Sequence, residues 1–151
     1  MLWANKMKNE ELLKLDNQIC FPMYVASKEI VRRYIPLLSA LDLTYTQYIT
    51  LLALWEKDHI TVKELGEKLY LDSGTLTPLL NKLEKKGYII KNKSDKDGRE
   101  LVVIVTDKGL ELKQKAIDVP PEIAKCVNLK KEEAIVFYQL LHKVLDGFYV
   151  K

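Results

Sequence analysis

The groups in this sequence best suited to chemistry are two thiols, Cys20 and Cys126, and three phenols near the first of them, Tyr24, Tyr34 and Tyr45. The thiolate is the reactive form of cysteine, favoured at the positive end of a helix macrodipole and beside hydrogen-bond donors. Cys20 falls near the start of a predicted helix, and the phenols are candidate donors to its sulfur. The plainer fate of a lone cysteine on a helix is a small buried hydrophobe. Cys126 follows Val119-Pro120-Pro121-Glu122-Ile123-Ala124-Lys125, a proline-broken connector ahead of the last predicted helix. The two thiols lack CxxC spacing, and only His59 and His142 accompany them, a set too sparse for a zinc site. The sequence offers neither a glycine-rich phosphate loop nor a Ser/His/Asp set, so neither an enzyme nor a cofactor is expected.

A second constellation is basic. Between Lys82 and Arg99 stand seven basic residues against three acidic ones, a local net charge of +4 in a chain whose total is +3. Such a run draws phosphates, although an ordinary solvated face can have the same composition. Thr75, Thr77, Asn81, Lys82 and Lys85 are candidates for the exposed, DNA-facing side of one helix, because Leu76, Leu80 and Leu83 share the other, and Ser73 in the turn before it joins the DNA-binding candidates. Asp97 and Arg99 follow in a polar turn. Arginine suits a narrow minor groove, and a neighbouring carboxylate can orient the guanidinium. The plainer reading of that pair is a weak surface ion pair.

These groups need elements to hold them. Residues 16–41 read as one long helix, with Ile19, Met23, Ala26, Ile30, Tyr34, Leu37 and Leu41 at three- and four-residue steps. Asp16 or Asn17 is its expected cap, and Pro22 must lie in the first two turns or kink it. A second helix is expected over about Thr46 to Lys57. Thr61 and Glu64 form a capping box for a short helix ending about Tyr70. A turn at Asp72, Ser73 and Gly74 leads to a helix over about 75–86, stopped by Gly87. Tyr88–Lys91 and Leu101–Val105 are β-branched and apolar around the turn Asp95-Lys96-Asp97-Gly98, the pattern of a hairpin. Thr106-Asp107-Lys108 opens another helix, which loses its pattern near Pro120-Pro121, and a last helix covers about Leu129 to Tyr149.

The predicted fold is mainly α with a small β-hairpin wing, a winged helix-turn-helix whose second helix would enter a major groove of double-stranded DNA. The 151 residues suffice for a single domain, residues 1–151, with a DNA-binding lobe at about 45–106 and dimerisation helices at about 10–41 and 107–149. The terminal helices carry more apolar surface than so small a lobe can hide, which predicts an intertwined homodimer facing a pseudo-palindromic operator. No stretch approaches the roughly 20 apolar residues that span a bilayer. The start of the chain has no signal-like apolar core, so the expected location is cytoplasmic, away from membranes.

At these residues the sequence resembles the MarR family of winged helix repressors, over about residues 15–148. The matching pieces are Thr61-Val62-Lys63-Glu64-Leu65-Gly66, Leu71 to Leu80, Leu83-Glu84-Lys85-Lys86-Gly87, the Asp97-x-Arg99 wing and Thr106-Asp107-Lys108-Gly109. The stretches Leu15 to Phe21 and Leu43 to Tyr48 are similar to the OhrR branch, which senses organic hydroperoxides; Pro22 stands where that branch would carry a small residue. The resemblance implies that terminal helices form the dimer interface and that Arg99 contacts the minor groove. It also implies that Cys20 is oxidised while tyrosines at positions 34 and 45 hold it, and that Cys126 is a candidate resolving cysteine, the alternative being a bystander thiol.

Cys20 and Tyr34 are fourteen residues apart, about 21 Å along one straight helix. A bond between them therefore requires the partner subunit. Oxidation of the sulfur to a sulfenic acid would then shift the interface and move the recognition helices off the spacing of about 34 Å between successive major grooves. Three other readings stay open: a MarR repressor released by a small aromatic or phenolic ligand, a thiol peroxidase, and a protein-interaction module on the same fold.

Overall fold

The computed structural model describes residues 9–94 and 98–149. A short helix α1 (Asn9–Leu12) and a 3-10 turn (Leu15–Asn17) precede the long helix α2 (Cys20–Ser39). α2 starts later than the periodicity suggests. Its cap position is Ile19, with no side-chain bond. Asn17 instead donates to the Glu11 carbonyl at 2.7 Å, and Gln18 to the Leu12 carbonyl at 2.6 Å, so these side chains close the preceding turn. Pro22 is the third residue of α2. The first turn's N–H groups have no helical partner in any case, so the proline removes no helical hydrogen bond.

Thr44 caps the next helix, α3 (Tyr45–Glu56). The Gln47 N–H donates to the Thr44 hydroxyl at 3.3 Å, and the Thr44 N–H to the Gln47 side chain at 3.1 Å. The Thr61/Glu64 box forms as expected, with bonds of 3.1 and 2.9 Å, and opens α4 (Val62–Leu69). Just before it, Ile60–Thr61 make a strand too short to show in the sequence, β1, defined only by its pairing with Val103 and Val102. α4 ends at Tyr70, whose φ of 55° is left-handed. The turn expected at Asp72–Gly74 is shorter than its composition implies. Asp72 is itself the cap, its carboxylate accepting from the Thr75 N–H at 2.9 Å, so α5 already begins at Ser73 and runs to Lys85.

Gly87, at φ 77°, turns the chain into β2 (Ile89–Lys93), which pairs antiparallel with β3 (Leu101–Val105). The hairpin is longer on its first strand than the apolar pattern indicates. The sheet order is β1-β3-β2. Thr106 caps α6 (Asp107–Lys115), accepting from the Gly109 N–H at 3.1 Å. The two prolines near 120 start a further short helix, α7 (Val119–Ala124), rather than only ending one, because a helix's first positions tolerate the missing N–H. α8 (Lys131–Tyr149) is the last element.

The core lies under the helix-turn-helix. Leu51, Leu54, Leu65, Leu76, Leu80, Leu83, Ile89 and Val103 are all at most 1% exposed. The core continues through Leu38, Leu112, Val119 and Ile123, where α2, α6 and α7 meet it, and does not reach α8 or the start of α2. α8 has no buried residue, and Ile135, Phe137, Leu140 and Phe148 along it stand open. Ile19, Phe21, Tyr24 and Ile35 do the same on and just before α2. The chain exposes 11564 Å², against about 7,900 Å² expected for a folded monomer of its mass. The apolar residues left open on α2 and α8 are the part of this surface that a second copy can cover.

Candidate nucleic-acid interface and thiol site

Helix α5 presents one polar face. Ser73, Thr75, Thr77, Asn81, Lys82 and Lys85 are exposed, while Leu76, Leu79, Leu80 and Leu83 are buried against α3, α4 and the sheet. The candidate residues thus share the side of the helix that a groove can reach. Two of them are already engaged. The Thr75 hydroxyl donates to Asp72 Oδ2 at 3.0 Å, so its proton serves the cap rather than a phosphate, leaving its methyl and lone pairs outward. The Asn81 carbonyl oxygen accepts from Lys91 Nζ at 2.5 Å, which leaves the amide N–H groups to donate. Hydrogen bonds from Thr75 hold the Asp72 carboxyl below its ordinary range, so the cap stays ionised at neutral pH.

The basic run is not uniformly available. Lys91 pairs with Glu84 at 2.9 Å and is largely covered, tying β2 to α5. Lys86 pairs with Asp42 at 2.9 Å and also donates to the Asp42 carbonyl, fastening α5 to the α2–α3 corner. Among the described residues, Lys82, Lys85 and Lys93 carry no ion pair. Arg99 is exposed near the tip of the wing, which the Ser94 N–H closes on the Glu100 carbonyl at 2.9 Å. Asp97 lies outside the described residues.

Cys20 is the first residue of α2, and its thiol is exposed. Tyr24 sits one turn further along the same helix and is 62% exposed. Tyr34 lies near the other end of α2, where its ring meets two rings of α3: Tyr45 at 4.9 Å and Tyr48 at 5.8 Å between centroids. The fold therefore joins Tyr34 to Tyr45 and sets Tyr34 fourteen residues along α2 from its own chain's Cys20. Burial pushes all three phenols above their ordinary pKa, and neighbouring phenols push Tyr34 and Tyr48 further, so they remain protonated donors. Tyr48 was not distinguishable in the sequence, because a tyrosine on an apolar helix reads as core; its spacing of three from Tyr45 was the available signal. Cys126 lies just past α7, exposed, its Sγ 3.8 Å from the Glu122 carbonyl oxygen.

Residues 32–116 match the family described as transcriptional regulator SarA/Rot. The chain is 42% identical to the organic hydroperoxide resistance transcriptional regulator of Bacillus subtilis, over 92% of this chain and 95% of that one. AbfR of Staphylococcus epidermidis, solved on DNA in its reduced and overoxidised forms, is 32% and 33% identical with TM-scores of 0.75 and 0.74. Those matches cover 93% and 91% of this chain and 99% and 97% of AbfR. A MarR mutant from E. coli complexed with operator DNA is 30% identical over 82% of this chain and 90% of that one, with a TM-score of 0.73. These relatives are regulators of transcription rather than enzymes. With a capped helix-turn-helix, a three-stranded wing and uncovered terminal helices, the chain belongs to the MarR family of winged helix-turn-helix transcriptional regulators, in its organic hydroperoxide resistance branch.

Proposed function

We propose that this protein is a dimeric repressor that leaves its operator when an organic hydroperoxide oxidises Cys20. The observation that carries the reading is the placement of Cys20. It is an exposed thiol at the first turn of α2, beside Phe21, Tyr24 and Val25, which its own chain leaves exposed. The names of the relatives support both halves of the reading, hydroperoxide resistance in one and DNA binding of reduced and overoxidised forms in another.

The whole chain acts as one domain. Its lobe at about 45–106 holds DNA, and the helices at about 10–41 and 107–149 pair with a second copy. Lys82, Lys85 and Arg99 supply charge to the backbone and the minor groove, while Ser73, Thr77 and Asn81 face the major groove. A twofold dimer matches a pseudo-palindromic operator. Its place of work is the cytoplasm, with the chromosome; among the described residues no helix is long and apolar enough to cross a membrane.

In the switch, the Cys20 thiolate attacks the distal oxygen of the hydroperoxide. The O–O bond breaks, an S–O bond forms, and the alkoxide takes a proton and leaves as the alcohol. Sulfur is oxidised by two electrons and the peroxide reduced by two. The phenols of Tyr34 and Tyr45, supplied by the partner, stabilise the thiolate beforehand; Tyr24 lies one turn from the sulfur. Cys126 of the other chain then condenses with the sulfenic acid, giving a disulfide and water.

A gel-shift assay on the DNA upstream of the protein's own gene tests this. Cumene hydroperoxide should release the wild type and leave Cys20→Ser bound. Release of Cys20→Ser by hydroperoxide places the sensor elsewhere, and release by salicylate alone assigns the protein to ligand control.

A further inference from the structure

The phenol cluster contains one member more than the proposed switch uses. Tyr48 is 1% exposed, in the first half of α3, and its ring lies 5.8 Å from that of Tyr34 with an interplanar angle of 43°. The Tyr34 ring also meets that of Tyr45, at 4.9 Å. Tyr45 and Tyr48 are three residues apart on α3, hence on one face, and Tyr34 comes from α2. The ring of Tyr34 is thus held by two rings of a different helix. Among the described residues no group bonds the hydroxyls of the three. A phenol already bonded within the chain would have to give up that bond before serving an outside acceptor; these three do not.

We infer that Tyr48 is a positioning residue for the thiol switch: its buried ring holds the Tyr34 ring against Tyr45, so that two phenols stand as a preformed donor pair for the Cys20 sulfur. The inference rests on the hydroperoxide reading above. Preformed donors matter because a hydrogen bond to a charged acceptor weakens steeply once its angle falls away from linear. A ring free to rotate between rotamers would be in that geometry only part of the time. Burial is the main cause of the raised pKa values of Tyr34 and Tyr48, and the further rise from neighbouring phenols agrees with hydroxyls that lie near one another.

The test uses the full-length dimer in a Cys126→Ser background. It reads the rate of Cys20 oxidation by cumene hydroperoxide and the pH profile of Cys20 alkylation by iodoacetamide. Tyr48→Leu should slow oxidation about tenfold and move the alkylation profile to higher pH, as expected when a bond to a charged acceptor is misplaced. Tyr48→Phe keeps the ring and should stay within about twofold of wild type. In a Tyr34→Phe background, Tyr48→Leu should add less than about twofold, because the ring that Tyr48 holds then carries no hydroxyl to position. Affinity of the reduced protein for DNA, within about threefold throughout, shows that the lobe is intact. If Tyr48→Leu does not fold, Tyr48→Met is read in the same way. A Tyr48 effect that is nil, or equal in both backgrounds, overturns the inference while leaving the switch standing. Wild-type oxidation in Tyr34→Phe itself overturns the tyrosine-assisted sensor, and this inference with it.

Discussion

Mixing two damaged chains in one dimer tests the proposal that each sensor is built from two protomers. Cys20 opens α2 and Tyr34 lies fourteen residues further along the same unbroken helix, Cys20–Ser39, so about 21 Å separates them along its axis. The Tyr45 ring lies 4.9 Å from that of Tyr34, at the same end of α2. One protomer is Cys20→Ser; the other is Tyr34→Phe with Tyr45→Phe. Across a twofold axis, the remaining Cys20 meets the undamaged tyrosines, so one complete sensor and one empty one result. Within a single chain, neither sensor would be complete.

The size of the effect can be estimated. Two phenol bonds to a thiolate contribute about 3–6 kcal/mol to its stability if they add. A more stable thiolate is also a weaker nucleophile, with a Brønsted slope near 0.4–0.5, so roughly half of that gain survives in the rate. The double-tyrosine homodimer should therefore be oxidised about 10- to 150-fold more slowly than wild type below the thiol's pKa. The differently tagged heterodimer should be oxidised at the wild-type rate but to one sulfenic acid per dimer, read by dimedone labelling and intact mass. If the heterodimer reacts as slowly as the double-tyrosine homodimer, the sensor is not shared and the distance argument fails.

Arg99→Ala should weaken operator binding by about 1–3 kcal/mol for each half-site, with a shallower salt dependence in a titration by fluorescence anisotropy. After stoichiometric hydroperoxide, a non-reducing gel should show the 17.5 kDa chain as a covalent dimer, and Cys126→Ser should abolish that band. Gly109→Ala places a Cβ against the Tyr88 carbonyl oxygen and 2.7 Å from Val105 Cγ1; overpacking there should cost about 1–3 kcal/mol in urea denaturation. The phenols of Tyr34, Tyr45 and Tyr48 have folded-state pKa values raised above 10.0. The stability tied to keeping them neutral is full below that pH and falls as pH rises through the raised values, so melting temperature should drop in strong base, and less in Tyr34→Phe.

The helix-turn-helix was legible because its signals are local. Thr61 with Glu64, Gly87, and the leucines of α5 each act over one or two turns of chain. The misjudged places depend on groups far away or on side chains with two uses. β1 exists only through pairing with residues some forty positions later, which no local pattern encodes. Asp72, Ser73 and Gly74 have the composition of a turn, yet the Asp72 carboxylate reaching the Thr75 N–H makes them a helix start. Asn17 is chemically fit to cap α2 and instead closes the turn before it. The distribution of charge misled in the same way: Lys91 belongs to the basic run by sequence, but its pairing with Glu84 withdraws it from the surface.

Whether a chemical change at one sulfur can open a grip on DNA is a question of energy and of connection. Releasing a repressor by a factor of about 100 requires roughly 2.7 kcal/mol of coupling between sensor and operator. In the proposed sensor, losing two phenol bonds to a thiolate would release about 3–6 kcal/mol, enough even if part of it were dissipated. The connection is α3. Its first turns carry Tyr45 and Tyr48, its later turns carry Leu51 and Leu54, both fully buried in the core of the lobe, and α4 and α5 pack on it. A close-packed core does not absorb a displacement locally, since small shifts meet neighbours on every side. A movement of the phenol cluster that turns α3 must therefore carry α4, α5 and the wing as one body. In the proposed dimer the terminal helices would hold two such bodies at a fixed separation, and rotating either one by a small angle would move the recognition helices out of register with successive major grooves.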